Sequence, residues 1–144
     1  MKVAYRFRRI LFVSGSMLVM ALLTLTIPKS PYADSSSTPD RVIYVSAMQF
    51  SFAFTNEPVA SKEDMGAQIV DLEISRGSLV EFRVTSLDAT HGFAIYNPKG
   101  AIFAQTQAMP GYTNRLRVRF DEPGKYPVLC LEYCGAAHHM MKTS

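Results

Sequence analysis

Hydrophobic and polar positions follow two different patterns along this chain of 144 residues. Residues 10–27 form a mainly apolar run without a charged side chain, whereas later segments alternate apolar and polar positions. An uncharged run of about 18 residues is just long enough to span a bilayer as a helix. Alternation with a period of two predicts β-strands with one buried face. The sequence therefore predicts one N-terminal transmembrane helix followed by a β-rich domain.

The alternating segments are short and are separated by turn signals such as Asn97-Pro98-Lys99-Gly100. No helical periodicity of useful length follows residue 33, so the fold class is predicted to be all-β, a Greek-key β-sandwich. Phe50, Phe52 and Phe54 share one face at period two and are expected in the core, whereas Arg115, Arg117 and Arg119 are expected on a solvated face. The predicted strands cover residues 41–47, 49–54, 68–74, 79–85, 93–96, 114–120 and 124–129.

The N-terminal segment has the features of a membrane anchor. Arg6, Arg8 and Arg9 precede the apolar run, and positive charge is retained on the inner side of a membrane. Residues 1–33 are therefore predicted to be a single-pass anchor in the cell membrane, with the rest of the chain on the outer (periplasmic or extracytoplasmic) side. A signal peptide cleaved at Ala33 is the alternative, although Pro31 occupies a position where a small residue is expected.

The composition separates this leader from the rest of the chain. The stretch from Tyr32 to Asp40 is rich in Ser and Pro and has no apolar periodicity, so residues 34–40 are predicted to be a linker to a single domain at 41–144. Five of the 15 basic residues lie in the leader, which has no acidic residue, so the other 10 accompany 12 acidic residues, a net charge of −2. The pI of about 9.0 therefore reflects the leader, and it gives no support for nucleic-acid binding. A weakly acidic domain is compatible with a basic protein partner, but an ordinary solvated surface explains the same charge.

A segment near the C-terminus concentrates residues that bind soft metal ions. It contains both cysteines, two of the three histidines and two of the eight methionines of the chain. Thiolate, imidazole and thioether donors favour copper over magnesium, calcium or manganese. Cys134, His138 and Met141 follow the order typical of a copper electron-transfer loop. A further ligand is needed from outside this loop, and His91, at the end of a strand, is the only histidine outside it.

Other sites are possible for the same residues. A disulfide between Cys130 and Cys134 would close a very small ring. Zinc sites often use paired C-x-x-C knuckles, which are absent, and Met is a poor zinc ligand. Cys134, His138, Met141 and His91 would suffice for a mononuclear blue-copper site. Cys130 separates the two copper hypotheses, because a second thiolate allows two sulfur atoms to bridge two ions.

The spacing C-x-E-x-C-G-x-x-H-x-x-M, from Cys130 to Met141, resembles the binuclear copper (CuA) domain of subunit II of haem–copper cytochrome c oxidases. Nitrous oxide reductase has a similar site. His91-Gly92-Phe93 resembles the His-x-Phe of the same family, and the resemblance covers about 41–141. It implies a cupredoxin-like fold with copper ligands on loops at one end of the sandwich.

The resemblance also implies a role for each site residue. Cys130 and Cys134 would bridge two copper ions, and His91 and His138 would each bind one of them. A set of two weak ligands completes the site: the Met141 side chain on one ion and the backbone carbonyl of Glu132 on the other. His139 and Met140 would lie nearer the rim.

The function implied by the resemblance is electron transfer without bond chemistry. The domain would accept electrons from cytochrome c or a similar donor and pass them to the haem-containing oxidase subunit I, as in the single-anchor forms of subunit II. A stand-alone copper electron carrier and a copper-delivery protein are the alternatives from the residues themselves.

Two features depart from the family pattern. The family has a Trp-rich run after a Gln where electrons enter, whereas this chain has Gln49-Phe50 and no Trp, so Phe50 is the position closest to the entry residue. The family also continues after the Met with a Gly and a final strand. Here Met141 is followed by Lys-Thr-Ser, and we therefore expect no final strand and a Met141 that lies in a fraying tail.

Overall fold

The computed structural model describes residues 2–29, 37–63 and 72–143. Its contacts divide the chain into two compact units, Met1–Thr38 and Pro39–Ser144. The predicted boundaries of the anchor at 1–33 and the linker at 34–40 remain predictions.

The N-terminal unit is a long helix, α1 (Lys2–Thr26), followed by a 3₁₀ turn at Ile27–Lys29. The segment Val3–Thr26 is long and apolar enough to cross a membrane. Its large apolar side chains are exposed. The hydroxyls of Thr24 and Thr26 donate to the carbonyls four residues earlier, which satisfies polar groups in an apolar helix. The helix includes most of the predicted apolar run and begins earlier than it.

The second unit is a β-sandwich of two four-stranded sheets, in agreement with the predicted fold class. The sheets have the strand orders β2-β1-β3-β6 and β5-β4-β7-β8. β1 pairs with β3 in parallel, and the other pairs are antiparallel. The strands are β1 (Arg41–Met48), β2 (Ser51–Thr55), β3 (Leu79–Ser86), β4 (His91–Tyr96), β5 (Ile102–Ala108), β6 (Asn114–Arg119), β7 (Val128–Leu129) and β8 (Lys142–Thr143).

The core lies between the two sheets and is built around Phe93. The rings of Phe52, Phe54 and Phe82 lie 5.6, 6.3 and 5.7 Å from the Phe93 ring, and all four side chains are buried. Each buried aromatic side chain of this size stabilises the fold by about 2–3 kcal/mol through burial alone. Because β4 carries Phe93, this packing fixes the strand that begins at His91.

The predicted aromatic stripe is correct for Phe52 and Phe54 but not for Phe50. Gln49 and Phe50 form the turn between β1 and β2, and Phe50 is only partly buried at the edge of the core. The strand begins at Ser51 because the chain must reverse direction before β2 can pair with β1.

Several predicted strand boundaries were wrong. β5 was missed because it is an edge strand whose apolar residues, Ile102 and Phe103, are exposed while its centre is polar. Of the predicted strand at 68–74, residues 68–71 lie outside the described part of the chain, and residues 72–74 are not in a strand. The predicted strand at 124–129 shortens to Val128–Leu129, since Pro127 has no N–H for a ladder.

The expectation of a missing final strand was also wrong. β8 pairs with β7, and Cys130 N–H donates to the carbonyl of Met141 at 3.1 Å. The Met141 side chain is only 2% exposed. β7 is also only two residues long, so the two residues of β8 pair with its full length. Met141 is therefore held between the Cys130 backbone and the core.

The prediction of three solvated arginines fails at Arg117. Arg115 and Arg119 are exposed, but Arg117 donates through Nε to Glu81 at 2.8 Å. Glu81 is 1% exposed and also accepts from Arg83 Nε at 2.9 Å. Burial would raise the pKa of Glu81, but the hydrogen bonds and charges of the two guanidinium groups outweigh it and lower the pKa.

Candidate metal centre

The site is assembled from two neighbouring strands of one sheet and the loop that follows them. His91 is the first residue of β4 and not, as predicted, at the end of a strand, because β3 already ends at Ser86; β7 ends one residue before Cys130. β4 and β7 pair with Ala94 opposite Leu129, so the same register brings the start of β4 beside the residues that follow β7. His91 and Cys130 are far apart in sequence, and the antiparallel pairing of β4 with β7 brings them close together in space.

The two thiols occupy the centre of the site. Cys130 Sγ and Cys134 Sγ lie 3.8 Å apart, and both cysteines are buried and free. Each thiol has its own imidazole: His91 Nδ1 lies 3.9 Å from Cys130 Sγ, and His138 Nδ1 lies 3.5 Å from Cys134 Sγ. The donor atoms of His91, Cys130 and Cys134 all lie within 4.8 Å of one another.

The two remaining predicted ligands, Met141 and the Glu132 carbonyl, each contact a different thiol. Met141 Sδ is 3.8 Å from Cys134 Sγ, and the carbonyl oxygen of Glu132 is 3.1 Å from Cys130 Sγ. The Glu132 side chain is exposed and contacts Gln107 at 3.4 Å, so only its backbone faces the site. All six predicted site residues are therefore brought together in the structure, although their role as ligands remains a prediction.

The exposed residues of the loop form a rim around this centre. His139 and Met140 lie outside the thiol cluster, and Met140 is 61% exposed, whereas His138 is half-buried. The Tyr133 ring is 5.9 Å from the His138 ring and is 77% exposed. The half-buried His138 therefore lies between the buried thiols and the solvent.

Asp88 fixes the orientation of His91, and sequence reasoning missed it. Asp88 Oδ1 lies 2.8 Å from His91 Nε2, which leaves Nδ1 facing Cys130. Burial would raise the pKa of Asp88, but hydrogen bonds from His91 and from the Gln49 and Ala89 amides outweigh it and lower the pKa. A carboxylate on the second nitrogen of a metal-binding His sets its tautomer. The sequence feature that could have indicated this contact is the position of Asp88 three residues before His91.

Two glycines allow the backbone to approach the site closely. A Cβ on Gly92 would lie 2.7 Å from the backbone nitrogen of Leu131 and 2.9 Å from that of Glu132. A Cβ on Gly135 would lie 2.9 Å from Gln49 Nε2 and 3.2 Å from the Phe50 ring, and Gly135 has a φ of +134°. Gly92 therefore excludes a larger residue on steric grounds, whereas Gly135 is required by its positive φ.

Burial also affects the protonation of the thiols. Burial, together with the hydrogen bond and charge of Cys130, raises the pKa of the Cys134 thiol to about 11. Cys134 therefore stays protonated near neutral pH in the metal-free chain. Metal binding to a thiol releases this proton, because the ligand is the thiolate.

The donor set fits copper. Neighbouring sulfur and nitrogen atoms are separated by 3.5 to 3.9 Å, less than twice a metal–thiolate bond of about 2.3 Å. Adjacent donors can therefore bind the same ion. Two thiols, two imidazoles and a thioether form the soft set that favours copper.

Comparison with known proteins identifies the family. The family model described as cytochrome c oxidase subunit II, periplasmic domain, matches residues 42–144. The chain belongs to this family. The match covers the β-sandwich from the second residue of β1 onward, including the loop that carries both cysteines.

Curated members of the subunit II family support this assignment. The chain is 34% identical over 134 residues to the heme-copper oxidase subunit 2 of Aeropyrum pernix, covering 92% of this chain and 55% of that protein. It is 32% identical over 76 residues to the cytochrome c oxidase subunit 2 of Thermus thermophilus, covering 53% of each. The chain thus spans about half the length of these relatives.

Solved structures share the fold. A chain from a heme-copper terminal oxidase dimer matches with a TM-score of 0.60 at 22% identity, covering 94% of this chain and 95% of that chain. The periplasmic domain of subunit II of cytochrome oxidase from Bradyrhizobium japonicum matches with a TM-score of 0.57 at 19% identity, covering 74% and 82%. The cupredoxin-like sandwich and the N-terminal apolar helix agree with the predicted fold class.

Proposed function

We propose that this chain is the electron-transfer subunit of a haem–copper terminal oxidase and that its loop binds a binuclear copper centre. The observation that carries the proposal is the pair of unbonded thiols 3.8 Å apart, each with its own imidazole. Membership of the subunit II family supports the same function. Copper bound at this site supplies a one-electron redox couple.

Each site residue has a definite task in this proposal. Cys130 and Cys134, whose Sγ atoms lie 3.8 Å apart, would bind copper as thiolates. His91 and His138 would bind copper through Nδ1, which lies beside Cys130 Sγ in the first and beside Cys134 Sγ in the second. Burial of both cysteines excludes water from the sulfur atoms. A rigid, dry set of ligands keeps the change in geometry between redox states small.

The two weak donors, the Met141 thioether and the Glu132 carbonyl, contact different thiols. Met141 lies on the Cys134 side, and the Glu132 carbonyl lies on the Cys130 side. A mononuclear blue-copper site would use Cys134, His138, Met141 and His91, and it would leave Cys130 and the Glu132 carbonyl without a role. The contact of Cys130 with both His91 and the Glu132 carbonyl therefore favours two ions.

The proposal includes a place and partners for the chain. Helix α1 would anchor it in the cell membrane as a single pass, with the copper domain on the outer side. Its partners would be a haem-containing subunit I and a cytochrome c or similar electron donor. Phe50, whose ring lies against Gly135 next to Cys134, is the candidate electron entry residue.

Purification of the full-length chain from membranes tests the oxidase function. A haem-containing subunit should be retained through mild detergent purification, and the complex should consume oxygen with reduced cytochrome c. A stand-alone electron carrier or a copper-delivery protein would instead purify without haem. Loss of copper to a chelator within the mixing time of the experiment would favour delivery.

A further inference from the structure

The side chain of Gln49 joins two parts of the site that come from distant segments of the chain. Its Nε2 donates to the backbone carbonyl of Cys134 at 2.5 Å. Its backbone N–H donates to Asp88 Oδ2 at 2.7 Å, and the other oxygen of Asp88 contacts His91 Nε2 at 2.8 Å. One residue therefore connects the Cys134 loop to the carboxylate that orients His91.

The packing around Gln49 is consistent with a specific contact. A Cβ at Gly135 would come within 2.9 Å of Gln49 Nε2 and would displace the amide from the loop, and the φ of +134° at Gly135 already favours glycine there. The chain on the far side of Asp88 is also tied down, because Ser86 Oγ and Leu87 N donate to the carbonyl of Ala47. The segment that carries Asp88 is therefore fixed to β1, and the Cys134 loop is held by the Gln49 side chain.

Other contacts of the loop do not replace this one. Cys130 is held by its N–H bond to the Met141 carbonyl, and His138 N–H donates to the Gly135 carbonyl. Both contacts lie within the C-terminal segment. Among the hydrogen bonds of the described residues, the bond from Gln49 to the Cys134 carbonyl ties the second thiol to the turn between β1 and β2, and Asp88 connects that turn to His91.

We propose that Gln49 is a positioning residue of the metal centre, which sets the distance between the Cys134 half and the His91 half of the ligand set. This inference rests on the proposed copper function. The proposed role depends on the hydrogen bond that the Gln49 amide donates to the Cys134 carbonyl, and not only on the space that the side chain fills. Loss of the donor should loosen Cys134 in the metal-free chain and change the electronic coupling of the copper-loaded centre.

Two substitutions separate the donor from the volume. Gln49→Met keeps a similar length without a donor or a charge, and Gln49→Glu keeps the shape but places an acceptor against the Cys134 carbonyl. Gln107→Ala is the matched control, since the Gln107 amide donates to the exposed carboxylate of Glu132, at 3.4 Å. All variants are made in the full-length chain purified in detergent.

The first measurement uses the metal-free, reduced chain. Alkylation by iodoacetamide is followed at each cysteine by tandem mass spectrometry. In both Gln49 variants, Cys134 should react about tenfold faster, which corresponds to about 1.4 kcal/mol, whereas Cys130 and the Gln107→Ala chain should keep the unsubstituted rate. An unchanged Cys134 rate in both variants overturns the proposal.

A second measurement needs no substitution and so does not depend on the folding of a variant. Exchange of the Gln49 side-chain amide protons with solvent is followed by NMR in the unsubstituted chain. Exchange at least about tenfold slower than for a free Gln side chain is expected from the bond to Cys134. Exchange at the free rate overturns the proposal.

The copper-loaded chains separate this inference from the proposed function. The Gln49 variants should show a shifted reduction potential and altered copper hyperfine couplings at a retained copper content, with Gln107→Ala unchanged. If the unsubstituted chain binds no copper, the proposed function fails and the inference with it. If it binds copper and the variants have the same potential and couplings, the inference alone fails.

Discussion

The Sγ atoms of Cys130 and Cys134 lie 3.8 Å apart, facing each other as free, buried thiols. A disulfide would require a separation of about 2.05 Å, so the pair is arranged as two separate donors. Cys130 is held by a backbone bond to Met141, and Cys134 by the side chain of Gln49. These two hydrogen bonds involve different partners, and together they set the distance between the Cys130 and Cys134 sulfur atoms.

Substitution of Gly92 by alanine should damage the site through the backbone. The new Cβ would lie 2.7 Å from Leu131 N and 2.9 Å from Glu132 N, and backbone atoms cannot rotate away. The segment that carries the Glu132 carbonyl would have to move. We expect Gly92→Ala to lower the free energy of unfolding by about 1–3 kcal/mol and to weaken copper binding, measured by competition with a chelator.

Gly111→Ala provides the control for this prediction. Gly111 has a φ of +72°, and a Cβ added there would meet no atom within 4 Å, so its cost is about 1 kcal/mol of backbone strain. It should destabilise the domain without changing copper affinity. Equal copper affinities for the Gly92→Ala and Gly111→Ala chains would contradict the role of Gly92.

The sequence predicted those parts of the fold and site that depend on local pattern. β1, β3 and β6 alternate clearly and were found within a residue or two. The residues that their type, spacing and the family resemblance proposed as ligands lie together in the structure, and their role as ligands stays a prediction. β5 and β8 could not be predicted, because an exposed edge strand and a two-residue strand have no distinct periodicity. Asp88 and Gln49 could not be assigned roles, since their contacts with His91 and Cys134 exist only after the loops are brought together.

The buried carboxylate of Glu81 predicts a pH dependence of stability. Its pKa is lowered from the ordinary value of 4.5 in the folded chain, so it stabilises the fold above that value, and this contribution is lost as pH falls through the folded pKa. Glu81→Gln should lower the free energy of unfolding at pH 7 by about 2–3 kcal/mol. The difference from wild type should shrink below about pH 4, as followed by urea denaturation of the metal-free chain.

Glu122→Gln is the matched control for Glu81. Glu122 pairs with Lys99 at 3.1 Å, but both side chains are more than half exposed. Its loss should change stability by well under about 1 kcal/mol at any of these pH values. A Glu81→Gln chain that loses no more stability than the Glu122→Gln chain would show that the buried pair makes no net contribution.

The N-terminal helix predicts how the full-length chain behaves in cells. Because Val3–Thr26 is apolar and long enough to cross a bilayer, the chain should remain in the membrane fraction after washing with high salt and with alkaline carbonate. Removal of residues 2–29 should release it. Recovery of a mature form that begins at Asp34 in the soluble exported fraction would establish a cleaved signal peptide instead.

The copper content and electron paramagnetic resonance spectrum of wild type and Cys130→Ser test the central claim most directly. Wild type should bind two copper ions per chain and show hyperfine structure from one electron shared by both nuclei. Cys130→Ser should bind at most one ion tightly, through Cys134, His138, Met141 and His91, with a spectrum localised on a single nucleus. If wild type and Cys130→Ser bind the same single copper ion with the same spectrum, Cys130 is not a ligand and the binuclear centre is contradicted.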